Sequence, residues 1–340
     1  MNKKNNSFSK IFKKVDGFNI IKQYLKSGVL FFAIFQILSQ GFSKKSLEIV
    51  RNSVDNKILK KFRRKYTSYI INNKQRILKN SIERKSSNKV WVMWLQGIEN
   101  APDIVKVCYK SLISNLSDRE IILLTEDNYR EYVTFPDYIQ NKIDKGMIGN
   151  AHMSDLLRLE LLEKYGGTWI DATVFISDKN IPDYILNSDF FMYQKLKPAL
   201  DGNPLSVSNW LITSTTYNPI LMMTKELLYE YWKKHDSAIH YFIFHMFFQL
   251  VIENFEDEWK KVVPVSSSTP HILLLRLFDS YDDRIMEGIL YQSSIHKLTY
   301  KFSKSDIEKA RTFYKKILEE SNESKSYSIL STSVSSYERK

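Results

Sequence analysis

The sequence predicts an α/β fold in which a mostly parallel sheet is flanked by helices and preceded by a helical N-terminal extension. Proline is absent and glycine is rare in the first 85 residues, which favours helices there. From residue 89 onward, short segments rich in β-branched and aromatic residues alternate with segments of helical periodicity. This alternation is typical of parallel sheets, whose ligands bind beyond the carboxyl ends of the strands.

The first half of the alternating region supplies its elements in a regular order. "KVWVMWL" predicts a strand, "APDIVKVCYKSLISNL" a helix with Pro102 near its first turn, and "EIILLT" a second strand. "SDLLRLELLEKYGG" predicts a helix that is capped by Ser154 and ended by Gly166 or Gly167. "TWIDATVFI" follows as one further strand.

The second half continues the pattern to the C-terminus. "DFFMYQ" and "NWLITST" predict strands, and "NPILMMTKELLYEYWKKH" and "AIHYFIFHMFFQLVIENF" predict helices. The last helix is expected over residues 305–320, where Ser305 and Glu308 have the spacing of a capping box. A loose, serine-rich tail is expected over residues 321–340.

The charge of the chain is concentrated in its first quarter. Residues 1–85 contain 21 lysines and arginines against 4 acidic residues, a balance of +17, whereas residues 86–340 contain 29 against 34. This asymmetry indicates that the N-terminal segment meets an anionic partner, either nucleic acid or a membrane surface. The single cysteine, Cys108, excludes an intramolecular disulfide and fits a reducing compartment.

The apolar stretch "SGVLFFAIFQIL" favours the membrane over nucleic acid. It is shorter than the roughly 20 residues that span a bilayer, and lysines flank it on both sides (Lys22, Lys26, Lys44, Lys45). These features predict an interfacial helix on an anionic membrane, with the protein in the cytoplasm at the inner face of the membrane. Two alternatives stay open: a helical hairpin packed on the body, and a signal peptide. The basic run "KKFRRKY" and the lack of an A-x-A-like cleavage site argue against a signal peptide.

Three polar residues near the middle of the chain are candidates for a binding site. Asp155 and Arg158 are three residues apart on a predicted helix, so they share a face. They form either a surface ion pair of little energetic value or a polar pair that faces a cleft. Along the following strand, alternation places Asp171 beside Trp169 and Thr173. A carboxylate among aromatic residues is costly unless it is paired or binds a metal, which makes Asp171 a site candidate.

The run "SDLLRLELLEKYGGTWIDATVF" resembles the signature of GT-A glycosyltransferases and, more closely, the bacterial capsular polysaccharide synthesis protein family. Further segments agree, including "VWVMWLQGIENAPDIVKVCYKSL", "NWLITSTTYNPIL" and "SSIHKLTYK", so that the resemblance covers most of residues 20–302. The resemblance implies a GT-A-like catalytic domain over residues 86–320, with residues 1–85 as its basic helical extension. It relates the chain to retaining enzymes that include initiating mannosyltransferases and glucosylating toxins.

The resemblance also implies roles for individual residues. Trp94 matches an aromatic that stacks on the nucleotide base, and Asp155 and Arg158 match the pair that binds the donor sugar. Asp171 matches the first acid of a two-acid motif whose second acid usually binds a metal, and Thr173 stands in that second place. A divalent metal, Mn²⁺ or Mg²⁺, is therefore implied, although a neutral hydroxyl is a poor substitute for a carboxylate. His296 is implied as a further metal ligand with Asp171, and Lys297 as a cation for the leaving phosphate.

The implied reaction is transfer of a sugar from a nucleoside-diphosphate sugar, with uridine as the expected base, to a polysaccharide or lipid-linked oligosaccharide. Capsule or exopolysaccharide synthesis is the implied setting, with retention of configuration. Two other functions stay open: a non-catalytic membrane or polyanion-binding protein on a degenerate transferase body, and an alditol-phosphate transferase. The remaining histidines are rivals of His296 or structural residues. His240, His245 and His271 are rivals, of which His245 is expected to face inward as a core residue, and His152 and His235 are expected at the surface.

Overall fold

The computed structural model describes residues 17–196 and 203–322 and confirms the α/β class. Its main sheet has five strands in the order β2-β1-β3-β6-β5. A small second sheet joins β4 to β7. The strands are β1 (Lys89–Met93), β2 (Glu120–Leu124), β3 (Gly167–Ile170), β4 (Val174–Ile176), β5 (Phe190–Gln194), β6 (Val207–Ser214) and β7 (Ile295–Lys297).

Helices flank the sheet and form the N-terminal region, as expected. The GT-A-like assignment and the division at residue 85 stay predictions. The longer helices are α1 (Gly17–Lys26), α2 (Leu30–Gln40), α3 (Lys44–Asn80), α4 (Asp103–Asn115), α6 (Asp137–Asp144), α7 (Asn150–Tyr165), α9 (Pro219–Lys234), α10 (Ile243–Asn254), α13 (Asp283–Gln292) and α15 (Phe313–Asn322). The short ones are α5 (Tyr129–Tyr132), α8 (Asp183–Leu186), α11 (Glu256–Trp259), α12 (Ile272–Arg276) and α14 (Lys304–Ile307).

Four strands of the main sheet run in one direction, and β6 runs against them. The strand β1 pairs in parallel with both β2 and β3, whereas β6 pairs antiparallel with β3 on one side and β5 on the other. The carboxyl ends of β1, β3 and β5 therefore lie at the same edge of the sheet as the amino end of β6. Ligands of open α/β sheets bind at such an edge.

The predicted strand "TWIDATVFI" is wrong as a single element. The structure breaks it after Ile170, and a turn follows in which Val174 N–H donates to the Asp171 carbonyl at 2.9 Å. Beyond the turn the chain pairs with β7 in the second sheet rather than continuing the first. The regular alternation inferred for Asp171 and Thr173 therefore fails, because both residues lie in the turn.

One predicted end of α7 differs from the structure, and the other is confirmed. Helix α7 begins at Asn150, so Ser154 lies inside it rather than at its cap. Its end at Gly166 is as expected, and Gly167 has a φ of 92°. A Cβ on Gly167 would lie 2.3 Å from the Lys89 carbonyl oxygen, so only glycine lets β3 approach β1 here.

The predicted C-terminal helix 305–320 is wrong in its extent. It divides into α14 and α15, and the cap is Ser303, whose hydroxyl accepts from the Asp306 N–H, rather than Ser305. The predicted tail lies outside the described residues from position 323 onward.

The N-terminal helices pack on the body and share its apolar core. Residues along one side of α3 are buried against α9 and α10, and Phe62 and Tyr66 each lie with their rings 4.9 Å from that of Phe247. Helix α2 packs on α3 through Val29 and Ala33. Within the described ranges, no helix combines the length and the hydropathy needed to cross a bilayer.

Candidate functional site

A cavity of about 790 Å³ lies at the sheet edge where β1, β3 and β5 end and β6 begins. Its walls come from these strand ends, from the first turns of α7 and α10, and from the segment that follows β7. Most of the predicted site residues line it: Trp94, Asp155, Arg158, Asp171, Thr173 and Lys297.

Arg158 is the best-anchored residue of the cavity. Its Nη1 lies 3.1 Å from Asp155 Oδ1 and donates to the Asn209 carbonyl at 2.9 Å, and its Nη2 donates to Ser154 Oγ at 2.8 Å. The guanidinium also lies over the Trp169 ring, 4.9 Å from its centroid. Arg158 is only 4% exposed, so the alternative of a surface ion pair is excluded, and the pair faces a cleft.

Asp171 is paired rather than isolated among aromatic residues. The indole N–H of Trp169 donates to Asp171 Oδ1 at 3.0 Å, and Arg158 Nη2 lies 3.7 Å from the same oxygen. Lys297 Nζ lies 3.6 Å from Asp171 Oδ2 and donates to the hydroxyl of Thr173. The turn between β3 and β4 thus holds one carboxylate between two cations.

Trp94 lies directly after β1, at one end of the cavity. Its ring and that of Tyr300 are nearly perpendicular, with centroids 5.2 Å apart. The indole Nε1 is buried and finds no hydrogen-bond partner among the described residues.

His296 does not line the cavity, which overturns its predicted role as a metal ligand with Asp171. It is fully buried on β7, next to Lys297, and neighbouring residues of a strand point to opposite faces. Its Nε2 lies 3.0 Å from Ser177 Oγ, and burial lowers the pKa of the imidazole to about 3.

The residues around Asp171 do not fit a divalent metal. In the described part of the chain, no three histidine, cysteine, aspartate or glutamate side chains are placed to hold one. Asp171 is the carboxylate of the turn, and Lys297 already bonds Thr173, where the second acid would stand. Two cations within 4 Å of Asp171 would repel a third positive charge.

The other histidines separate into structural residues and cavity residues. His240 lies 3.0 Å from Asp55, His271 Nδ1 lies 2.6 Å from the Ser267 carbonyl oxygen, and neither histidine lines the cavity. His152 is not a surface residue, because it is half-buried 3.9 Å from Asp155. His235, also half-buried, stacks on Tyr231.

Sequence reasoning missed part of the cavity wall. His245 is buried, as expected, but it lines the cavity and its Nδ1 has no partner among the described residues. Lys195, Asn209 and Tyr241 line it too, and Asn209 Nδ2 donates to Asp155 Oδ1 at 2.9 Å. Lys195 directly follows the predicted strand "DFFMYQ". Because ligands bind beyond the carboxyl ends of the strands, this position could have identified Lys195 as a candidate site residue.

The fold and the cavity define an α/β protein with a polar ligand site at the carboxyl edge of its sheet. The family model described as capsular polysaccharide synthesis protein matches residues 35–317, and the chain belongs to that family. The family predicted from the sequence is thereby confirmed.

Two individual proteins are also similar to this chain. O-glycosyltransferase braB from Annulohypoxylon truncatum is 34% identical over 100 residues, which is 27% of this chain and 24% of that protein. The match thus spans about a quarter of the curated relative. The solved structure of PaToxG Glycosyltransferase matches with a TM-score of 0.36 and 15% identity, covering 79% of this chain and 98% of that chain.

Proposed function

We propose that the protein is a glycosyltransferase that moves a sugar from a nucleoside-diphosphate sugar, with uridine as the base, to a hydroxyl of a polysaccharide or lipid-linked oligosaccharide. Membership of the capsular polysaccharide synthesis protein family and the name of the curated relative support the reaction class. The observation that carries the proposal is the convergence of Asp155, Arg158, Asp171 and Lys297 in one cavity that ends at Trp94.

Each part of the donor has a matching group in this cavity. The face of Trp94 offers a stacking surface for the base. Lys297 and Arg158 supply the positive charge that a leaving diphosphate needs as the bond to the sugar breaks. Asp155 and Asp171 accept hydrogen bonds from sugar hydroxyls, and their pairing with Arg158 fixes their positions before the donor arrives. Retention of configuration, implied by the resemblance, remains part of the proposal.

A binding panel tests the proposed donor class. Isothermal titration with uridine-diphospho-sugars, other nucleoside-diphospho-sugars and nucleotide-activated alditols should show binding to one of the sugar donors, with quenching of tryptophan fluorescence from Trp94. Trp94→Ala should weaken that binding, because stacking on a base contributes about 1–3 kcal/mol. Binding of the activated alditol in preference to every sugar donor would instead support an alditol-phosphate transferase. Binding of none would favour a non-catalytic protein.

We further propose that Lys297 takes the place of a metal at the diphosphate. Lys297→Ala is expected to lower kcat by roughly 10²-fold, as expected for loss of one preorganised charge at the leaving group. Saturating EDTA is expected to leave the activity of the unaltered protein unchanged. The exposed Lys179 provides the matched control, and Lys179→Ala should keep full activity. Loss of activity in EDTA, together with an active Lys297→Ala variant, would contradict this assignment.

The N-terminal helices support a proposal about location. Helix α2 packs on α3 with Ala33 buried, and its opposite side is exposed, which leaves that side free for the predicted interfacial contact. We propose that this exposed side lies in the headgroup region of an anionic membrane, at its cytoplasmic face. The exposed apolar residues of this helix are Phe31, Ile34, Phe35 and Leu38, with Leu25 before it and Phe42 after it.

Removing this apolar side should weaken membrane binding. The variant Phe31→Ser/Phe35→Ser/Leu38→Ser is expected to lower the partition coefficient for vesicles containing phosphatidylserine by at least about tenfold, because apolar area drives interfacial binding. Co-sedimentation measures the effect. Leu275→Ser, at an equally exposed leucine on α12, serves as the control and should bind as the unaltered protein does. If the triple variant bound the vesicles as strongly as the unaltered protein does, the proposed location would be contradicted.

A further inference from the structure

The cavity extends past the donor-binding residues to a second group of polar side chains. Lys195 follows β5 directly, and β5 is the edge strand on the side of the sheet away from β1. Lys195 follows β5 and Trp94 follows β1, which are three strand spacings apart in the sheet. At about 4.8 Å for each spacing, the two strands are separated by roughly 14 Å. The two residues therefore lie toward opposite ends of the cavity, with Asp171 between them at the end of β3.

Lys195 lines the cavity, and its amine lies 5.8 Å from the centroid of the Phe242 ring. Burial lowers the pKa of the amine, and Arg51 lowers it further, while Asp55 and Glu48 act in the opposite direction. No ion pair joins Lys195 to a carboxylate within residues 17–196 and 203–322. A half-buried ammonium without a paired anion is costly, and an anionic ligand in the cavity would offset that cost.

His245 and Ser208 line the same cavity and add uncharged donors. Burial and the nearby charges of Lys195 and Arg158 hold the pKa of His245 well below its usual value, so the imidazole is neutral at pH 7 and donates one N–H. Its buried Nδ1 lacks a partner in the described part of the chain. An ammonium, an imidazole and a hydroxyl in the lining of one cavity form a set that suits the oxygens of a phosphate.

The surroundings of Lys195 indicate where such a phosphate comes from. The charges that act on Lys195 belong to the first turns of α3, which follow directly on the exposed apolar side of α2 and on Phe42. Asn203, whose amide donates to the Lys195 carbonyl at 2.9 Å, also lines a groove that runs along α3. This end of the cavity is therefore the one nearest to the proposed membrane surface.

We propose that Lys195, with His245 and Ser208, binds the phosphate through which the acceptor saccharide is joined to a membrane lipid. The inference rests on the proposed function, since it makes this end of the cavity the acceptor subsite of the same transfer. It commits the acceptor to a phosphate-linked lipid rather than a free polysaccharide chain.

Octyl phosphate serves as the probe, titrated into the full chain by calorimetry in the presence of saturating uridine diphosphate, which fills the donor end. Octyl phosphate is expected to bind, and Lys195→Gln should weaken it by about 10–100-fold, as loss of a charged hydrogen bond does. Lys195→Arg keeps the charge and should retain most of the binding. The exposed Lys106 provides the control, and Lys106→Gln should change nothing.

Other outcomes would overturn the inference. If octyl phosphate fails to bind while uridine diphosphate binds normally, the acceptor assignment is wrong and the proposed transfer stands. If uridine diphosphate also fails to bind, the proposed function itself is contradicted. If Lys195→Gln weakened the binding of octyl phosphate and of uridine diphosphate by the same factor, Lys195 would belong to the donor site. Binding of glucuronate that depends on Lys195, without binding of octyl phosphate, would assign the subsite to a sugar carboxylate.

Discussion

Replacing Asp171 by asparagine is expected to lower kcat/KM for sugar transfer by roughly 10²–10³-fold with little change in folding. Its carboxylate lies between Arg158 and Lys297, and it is the acid of the turn that lines the cavity. Asparagine keeps the shape and the hydrogen bond from the Trp169 indole but removes the charge. Arg158 keeps its ion pair with Asp155, and Lys297 keeps its hydrogen bond to Thr173, so each cation retains a polar partner.

Steady-state kinetics with the donor found by the binding panel measure this effect, and far-ultraviolet circular dichroism confirms the fold. Asp257→Asn is the matched control, since Asp257 is exposed on α11 and does not line the cavity. The control should retain full activity. An Asp171→Asn variant with unchanged turnover would show that the assignment of the site is wrong.

Replacing Arg158 by leucine is expected to abolish transfer and to lower the free energy of unfolding by about 3–5 kcal/mol. Arg158 is buried, and its loss leaves Asp155 with its charge largely uncompensated in the cavity wall. The Asn209 carbonyl and the Ser154 hydroxyl lose their donor as well. Urea unfolding followed by tryptophan fluorescence measures the change.

A double variant separates the ion pair from simple packing. Arg158→Leu/Asp155→Leu should recover part of the lost stability, because it removes the stranded carboxylate, but it should remain inactive. Arg276→Leu is the control, since Arg276 and its partner Asp279 are both about half exposed and such pairs contribute at most about 1 kcal/mol. An Arg158→Leu variant as stable as this control would contradict the described network.

The sequence predicted the sheet and the central part of the site because their signals are local. The helix α7, its glycine end and the strand β3 are contiguous in the chain, so one segment brings Asp155, Arg158 and Asp171 near one strand end. The alternation of strands and helices was enough to predict that this end lies at the ligand-binding edge.

The errors arose where pairing depends on distant residues. "TWIDATVFI" is uniformly β-like, and only the pairing of β4 with β7, more than 100 residues later, shows that the chain turns at Asp171. The same pairing brings Lys297 to Thr173 and turns His296 away. Within β7 the pairing leaves Lys297 lining the cavity and His296 buried on the other side.

The central claim is that this cavity transfers a sugar from a nucleoside-diphosphate donor. The most direct measurement supplies each radiolabelled donor of the panel with membrane extract as acceptor source and separates the labelled product by chromatography. One nucleoside-diphospho-sugar is expected to yield a labelled lipid-phase product and free nucleoside diphosphate in equal amounts, and Asp171→Asn should form both roughly 10²–10³-fold more slowly. Product formation from none of the sugar donors, or equal formation by Asp171→Asn, would contradict the account.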